Sequence, residues 1–127
     1  MFNRRFWNRW GLIIAIAAFM IGLPALAQPN VTAEAIQFAN LRAGLGTDTD
    51  VVGRIDAGTA YPVLGQSAEY PWLLLGDPDT RTPIGWVFRD VVTISGSLGD
   101  VRAYGLSGDW QQLDNGVYVP PPLLQAA

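Results

Sequence analysis

Between Ala39 and Ile94, short apolar runs alternate with Gly, Pro, Asp and Thr. The runs are Val51–Ile55, Tyr61–Leu64, Trp72–Leu75, Ile84–Phe88 and Val91–Ile94. Each is too short for a globular helix, and each is bounded by turn-forming residues, so the pattern predicts a small antiparallel β domain. Within the runs, side-chain parity assigns faces. Tyr61 and Val63 point one way, and Ala60, Pro62 and Leu64 the other. Pro62 has no N–H to donate, which predicts an exposed edge at that strand. Ile36 and Phe38 share one face of an extended segment and Leu41 has the opposite parity, so a bulge is expected near Ala39–Asn40. Trp72, Trp86, Phe38, Phe88 and Tyr61 supply the large apolar areas that a core of this size needs.

The intervening segments read as loops. Ala43–Asp50 is rich in Gly, Thr and Asp; Gln66–Pro71 ends in an aromatic and a proline; Gly76–Pro83 is a dense turn cluster. Asp48 and Asp50 resemble a D-x-D metal pair, as Asp77 and Asp79 do. With no third oxygen-rich cluster nearby, turn capping by the Asp side chains is the expected role. No metal and no cofactor is expected.

Both flanks differ from this pattern. Residues 28–35 show no periodicity and read as a lead-in. Ser95–Gly99 has a linker composition. Beyond it, Asp114-Asn115-Gly116 lies between Trp110–Leu113 and Val117–Val119, a hairpin signal. Trp110-x-x-Leu113 echoes Trp72-x-x-Leu75, and Tyr118-Val119 echoes Trp86-Val87, so residues 95–127 read as a linker and tail carrying a degenerate half-repeat. An isolated hairpin is marginal in water, so Trp110 and Tyr118 need a surface to cover. Leu74 is one apolar position able to receive them.

The start of the chain has a different composition. Arg4, Arg5 and Arg9 precede an unbroken apolar stretch of 13 residues, Gly11–Leu23, followed by Pro24 and Ala25-Leu26-Ala27. This is the three-part pattern of a helical signal peptide over residues 1–27, with cleavage expected after Ala27 and an exported product. Uncleaved, the uncharged stretch Trp10–Ala33 would instead be an anchor, the one route by which a membrane enters the picture. After residue 27 the chain holds five Arg, eleven Asp or Glu, and no Lys or His, a net charge of −6. Such a surface repels phosphate backbones, so nucleic acid is not an expected partner. Cysteine is absent, so the exported domain relies on its core alone.

In order and spacing, Asn40-Leu41-Arg42-Ala43-Gly44, Val51-Val52-Gly53, Ala57-Gly58-Thr59, Trp72 and Gly85-Trp86-Val87 resemble the bacterial SH3-type (SH3b) domain. The resemblance covers residues 36–94. It implies an all-β fold, a small SH3-like barrel of five to six antiparallel strands. Members of that family are typically exported, and many bind the bacterial cell wall; others are spacers or interaction modules. The chain departs from the pattern in two places. The loop before Ile84 is longer and richer in Pro, and Leu74 stands where the family commonly has a polar residue, which implies extra packing against the tail.

Composition removes most catalytic chemistry. Without His or Cys there is no Ser-His-Asp triad, no thiolate nucleophile and no ordinary zinc site; without Lys there is no Schiff base. Paired carboxylates need a cleft that a barrel of this size does not offer. The expectation is a non-catalytic binder, and the candidate contacts are Asn40, Arg42, Tyr70 and Trp86. An Asn amide pairs with sugar hydroxyls or peptide carbonyls, an Arg fork with carboxylates, and an aromatic ring with apolar faces. For Trp86, a core position inside a strand competes with a ligand role; for Arg42, a surface ion pair does. The expected partner is cell-wall polymer, glycan or peptide. The alternative is an envelope protein, with the chain serving as a structural or interaction domain.

Overall fold

A computed structural model describes residues 30–121. The signal pattern read over residues 1–27 lies outside them. Ten strands follow in order: β1 (Thr32–Ala35), β2 (Phe38–Arg42), β3 (Val51–Asp56), β4 (Ala60–Ser67), β5 (Trp72–Gly76), β6 (Pro83–Phe88), β7 (Val92–Ser95), β8 (Ala103–Tyr104), β9 (Gln111–Gln112) and β10 (Tyr118–Val119). Short 3-10 turns at Arg89–Val91 and Leu98–Asp100 flank β7. The first seven strands form one antiparallel sheet in the order β3-β2-β6-β5-β4-β1-β7.

All seven strands send side chains into a single apolar cluster. Ala33, Leu41, Ile55, Val63, Leu73, Val87 and Val92 all belong to it. A sheet whose every strand meets one core must curl around it. The curl does not become the expected closed barrel, because the pairing runs from β3 to β7 and stops.

The segment 28–35, read as a lead-in, contains β1. It pairs with β4 through Ala33↔Tyr61 and with β7 through Ala33↔Ile94. Its sequence, Thr-Ala-Glu-Ala, has low β propensity, so nothing in the local pattern announced a strand. Its fit comes from size: Ala33 and Ala35 are buried where two neighbouring strands leave little room. Because β1 covers β4, Pro62 is buried rather than at an exposed edge. Val63 supplies the donor toward β1, bonding the Val31 carbonyl at 2.9 Å. Successive amides face opposite edges, so the missing donor of Pro62 falls on the β5 side, beyond the last pair there, Val63↔Leu75.

Two further expectations change. Strand β2 begins at Phe38, with Ala39 and Leu41 inward, and its irregularity lies between Leu41 and Arg42 rather than at Ala39–Asn40. Phe38 is therefore not core: it is 48% exposed, and Ile36 is 59% exposed. Strand β4 continues through Ser67, deeper into the segment read as a loop, because Gln66 and Ser67 pair with Ala103 and Tyr104 of β8.

That parallel pairing draws the segment read as a linker onto the sheet. The Gln66 side chain donates to the carbonyls of Leu98 at 2.7 Å and Val101 at 3.0 Å. Tyr104 lies across Gly65, where a Cβ would stand 2.7 Å from its ring. Any side chain larger than hydrogen at that position displaces β8.

The outer face of β5 and β6 carries a second cluster, Trp72, Leu74 and Trp86, which explains why β5 is apolar on both sides. The hairpin β9–β10 covers it by inserting Val117 and Val119, both fully buried. The Trp86 indole donates to the Tyr118 carbonyl at 2.8 Å, and the Tyr118 amide donates to the Ala43 carbonyl at 2.8 Å. Trp110 packs beside Trp86 with ring centroids 5.6 Å apart. Tyr118 itself stays largely exposed, so the two valines rather than the tyrosine anchor the hairpin.

Candidate functional site

The hairpin leaves part of the same outer face open. Strand β2 runs Phe38-Ala39-Asn40-Leu41-Arg42, and its inward residues Ala39 and Leu41 join the core. Alternation then turns Phe38, Asn40 and Arg42 outward in a row. Trp72, Phe88 and Val91 line the groove with them, as do Gly46 and Thr47 of the loop after β2. The result is an open groove of about 660 Å³, within the usual range for small-ligand sites.

The groove floor is rigid for identifiable reasons. Trp72 packs edge-on against Phe88 with centroids 5.6 Å apart, and Trp72 is only 8% exposed. The Arg54 guanidinium lies 4.3 Å from the Phe38 ring centroid and occupies one of its faces. The loop wall is tied internally by Thr49. Its hydroxyl donates toward the Gly46 carbonyl at 2.8 Å and sits 3.2 Å from that of Gly44. Thr49, rather than Asp48 or Asp50, thus performs the capping expected in this loop. Arg42 adds a second tie, donating through Nη1 to the Thr49 carbonyl at 3.0 Å.

Arg42 forms no ion pair among the described residues, where the expected alternative was a surface salt bridge; the pair that does form is Arg54–Asp56. The Asn40 side chain is exposed and has no intramolecular hydrogen-bond partner among the described residues. Both therefore present free polar groups to the groove, two residues apart on one strand.

The other two candidates lie elsewhere. Trp86 has no exposed surface and its indole N–H is committed to Tyr118, so its place is the core beneath the hairpin. Burial on both sides of β6 removes it as a ligand contact. Tyr70 is 53% exposed in the turn before β5 but does not line the groove. Phe38, Phe88 and Val91 are not candidates by sequence, although the period-two pattern Phe38-x-Asn40-x-Arg42 aligns the first with the polar pair.

The long loop before β6 has no part in this groove. Asp77 organises it by accepting from the amides of Asp79 at 2.8 Å and Thr80 at 3.1 Å. These two backbone bonds hold its carboxyl below the ordinary carboxylate pKa. Asp77 is thus a turn former, as expected from the sequence.

No curated protein and no solved structure matches the chain. The family model of the bacterial SH3 domain matches residues 37–93, a span that begins one residue before β2 and ends within β7. Residues 37–93 are thus a bacterial SH3 domain, and the family assignment belongs to that segment of the chain.

Proposed function

We propose that this protein is a non-catalytic binding module of the cell envelope that holds wall polymer in the groove of Asn40 and Arg42. The bacterial SH3 domain supports a binding role in general. The single observation that carries the reading is the groove itself, in which two polar side chains with unsatisfied hydrogen-bonding capacity stand over an aromatic floor. Gly46 and Thr47 contribute to its wall. Among the described residues the lining holds no carboxylate, and the Thr47 hydroxyl has no base among its lining neighbours, which supports binding rather than turnover. Export through the signal pattern of residues 1–27 would place the groove on the wall side of the membrane. An open groove with few polar contacts gives weak affinity, about micromolar to millimolar.

Sedimentation with purified sacculi tests the reading. The wild-type protein is expected in the pellet, and Asn40→Ala and Arg42→Ala are expected to lower the pelleted fraction without altering the melt. No pelleting above a control protein of similar charge would leave an envelope interaction domain as the better description.

A further inference from the structure

We infer that the groove takes a peptide ending in a free carboxylate, in preference to a glycan. This rests on the wall-binding reading and narrows it to one component of the polymer.

The chain after residue 27 is strongly acidic, yet among the described residues no Asp or Glu lines the groove, and the one charged lining residue is Arg42. The guanidinium spends one Nη1 hydrogen on the Thr49 carbonyl and has no carboxylate partner among the described residues. That bond fixes the fork at the groove edge and leaves its other donors free. An Arg fork with a planar two-oxygen acceptor makes two parallel charge-assisted bonds, the geometry for which guanidinium is suited. The Asn40 amide, on the same face two residues away, has the donor and acceptor needed for one peptide unit of the same ligand.

The aromatic geometry points away from sugar. A glycan platform needs an open ring face. Here Trp72 is only 8% exposed, Phe88 is packed against it, one face of Phe38 is covered by Arg54, and Trp86 is buried. What remains is an apolar trough formed by Phe38, Phe88 and Val91, matched to small aliphatic side chains.

The test titrates the full chain with N-acetyl-alanyl-alanine, with the same dipeptide as its C-terminal amide, and with an N-acetylglucosamine trimer. The readout is the resonances of Asn40, Arg42, Gly46 and Thr47. The free acid is expected to shift them with a Kd on the order of millimolar, and the amide to bind at least about tenfold more weakly. Arg42→Gln is expected to abolish the difference between acid and amide; Arg42→Lys, which keeps the charge and loses the fork, to retain part of it. Equal affinity for acid and amide overturns the inference. So do shifts with the trimer alone, or with none of the three. Sedimentation with sacculi on the same preparation separates the two levels. Pelleting without an acid preference removes only the ligand class, whereas loss of pelleting removes the wall-binding reading as well.

Discussion

Val119→Ala tests whether the C-terminal hairpin, which lies beyond residues 37–93, is part of the cooperative fold. Val119 is fully buried in the cluster formed with Trp72, Leu74, Trp86 and Val117. The substitution removes two methyl groups from this site. At about 0.8 kcal/mol per buried carbon the transfer contribution is about 1.5 kcal/mol. The residual cavity raises the total to about 2–3 kcal/mol, because Trp86 is pinned by its bond to the Tyr118 carbonyl and cannot collapse freely into the space. Against a stability of about 5–15 kcal/mol this is a large loss, visible as a urea midpoint lower by about 1–2 M. Tryptophan fluorescence follows the melt, since Trp110 stacks beside Trp86 at the same interface. Amide exchange supplies the local readout: the Tyr118 amide, bonded to Ala43, should lose protection ahead of the strands around the inner core. A melt within about 0.5 kcal/mol of wild type, with the Tyr118 amide still protected, would refute the packing argument.

The remaining predictions concern other parts of the fold. Trp72→Ala removes a side chain buried against Phe88 and should cost about 3–5 kcal/mol, leaving a largely unfolded chain by circular dichroism. Gly65→Ala places a methyl group 2.7 Å from the Tyr104 ring and should destabilise by about 1–3 kcal/mol in a denaturant melt, while the smaller ring space of Tyr104→Leu should relieve part of that loss in the double variant. Asp77 should titrate by carbon NMR with a midpoint below that of an ordinary Asp carboxyl. Its lowered folded pKa means that this contribution to stability is present above the ordinary carboxylate pKa and is lost as pH falls through the folded value, so Asp77→Ala should weaken the protein more at neutral pH than in strong acid.

Much of the sheet is legible in the sequence because its central strands announce themselves. Trp72–Leu75 and Ile84–Phe88 are apolar, short and bounded by turn residues, and they become β5 and β6. Leu74, apolar where the family commonly has a polar residue, points to the second cluster that the hairpin fills. What is not legible is structure decided by tertiary contact. Ala33 and Ala35 form a strand only because β4 and β7 provide partners on both sides. Val101 and Tyr104 sit in a segment rich in Gly and Ser, and their order comes from the Gln66 side chain and the edge of β4. The site divides in the same way. Asn40 and Arg42 follow from parity on β2, and the structure adds Phe88 and Val91, which reach the groove through pairing that no local pattern encodes. Trp86 could not be assigned from its own strand, because the residues that bury it lie about thirty positions later in the chain.

The central claim is that the open part of the outer sheet face is the ligand surface. It is tested most directly by titrating the isotopically labelled protein with soluble fragments released from purified sacculi, while following every assigned resonance. Saturable shifts confined to Phe38, Asn40, Arg42, Gly46, Thr47 and Phe88 are expected, with Arg42→Ala weakening the response while the protein stays folded. Shifts centred on the hairpin or on the exposed edge of β3, or no saturable shift at millimolar fragment, would contradict it.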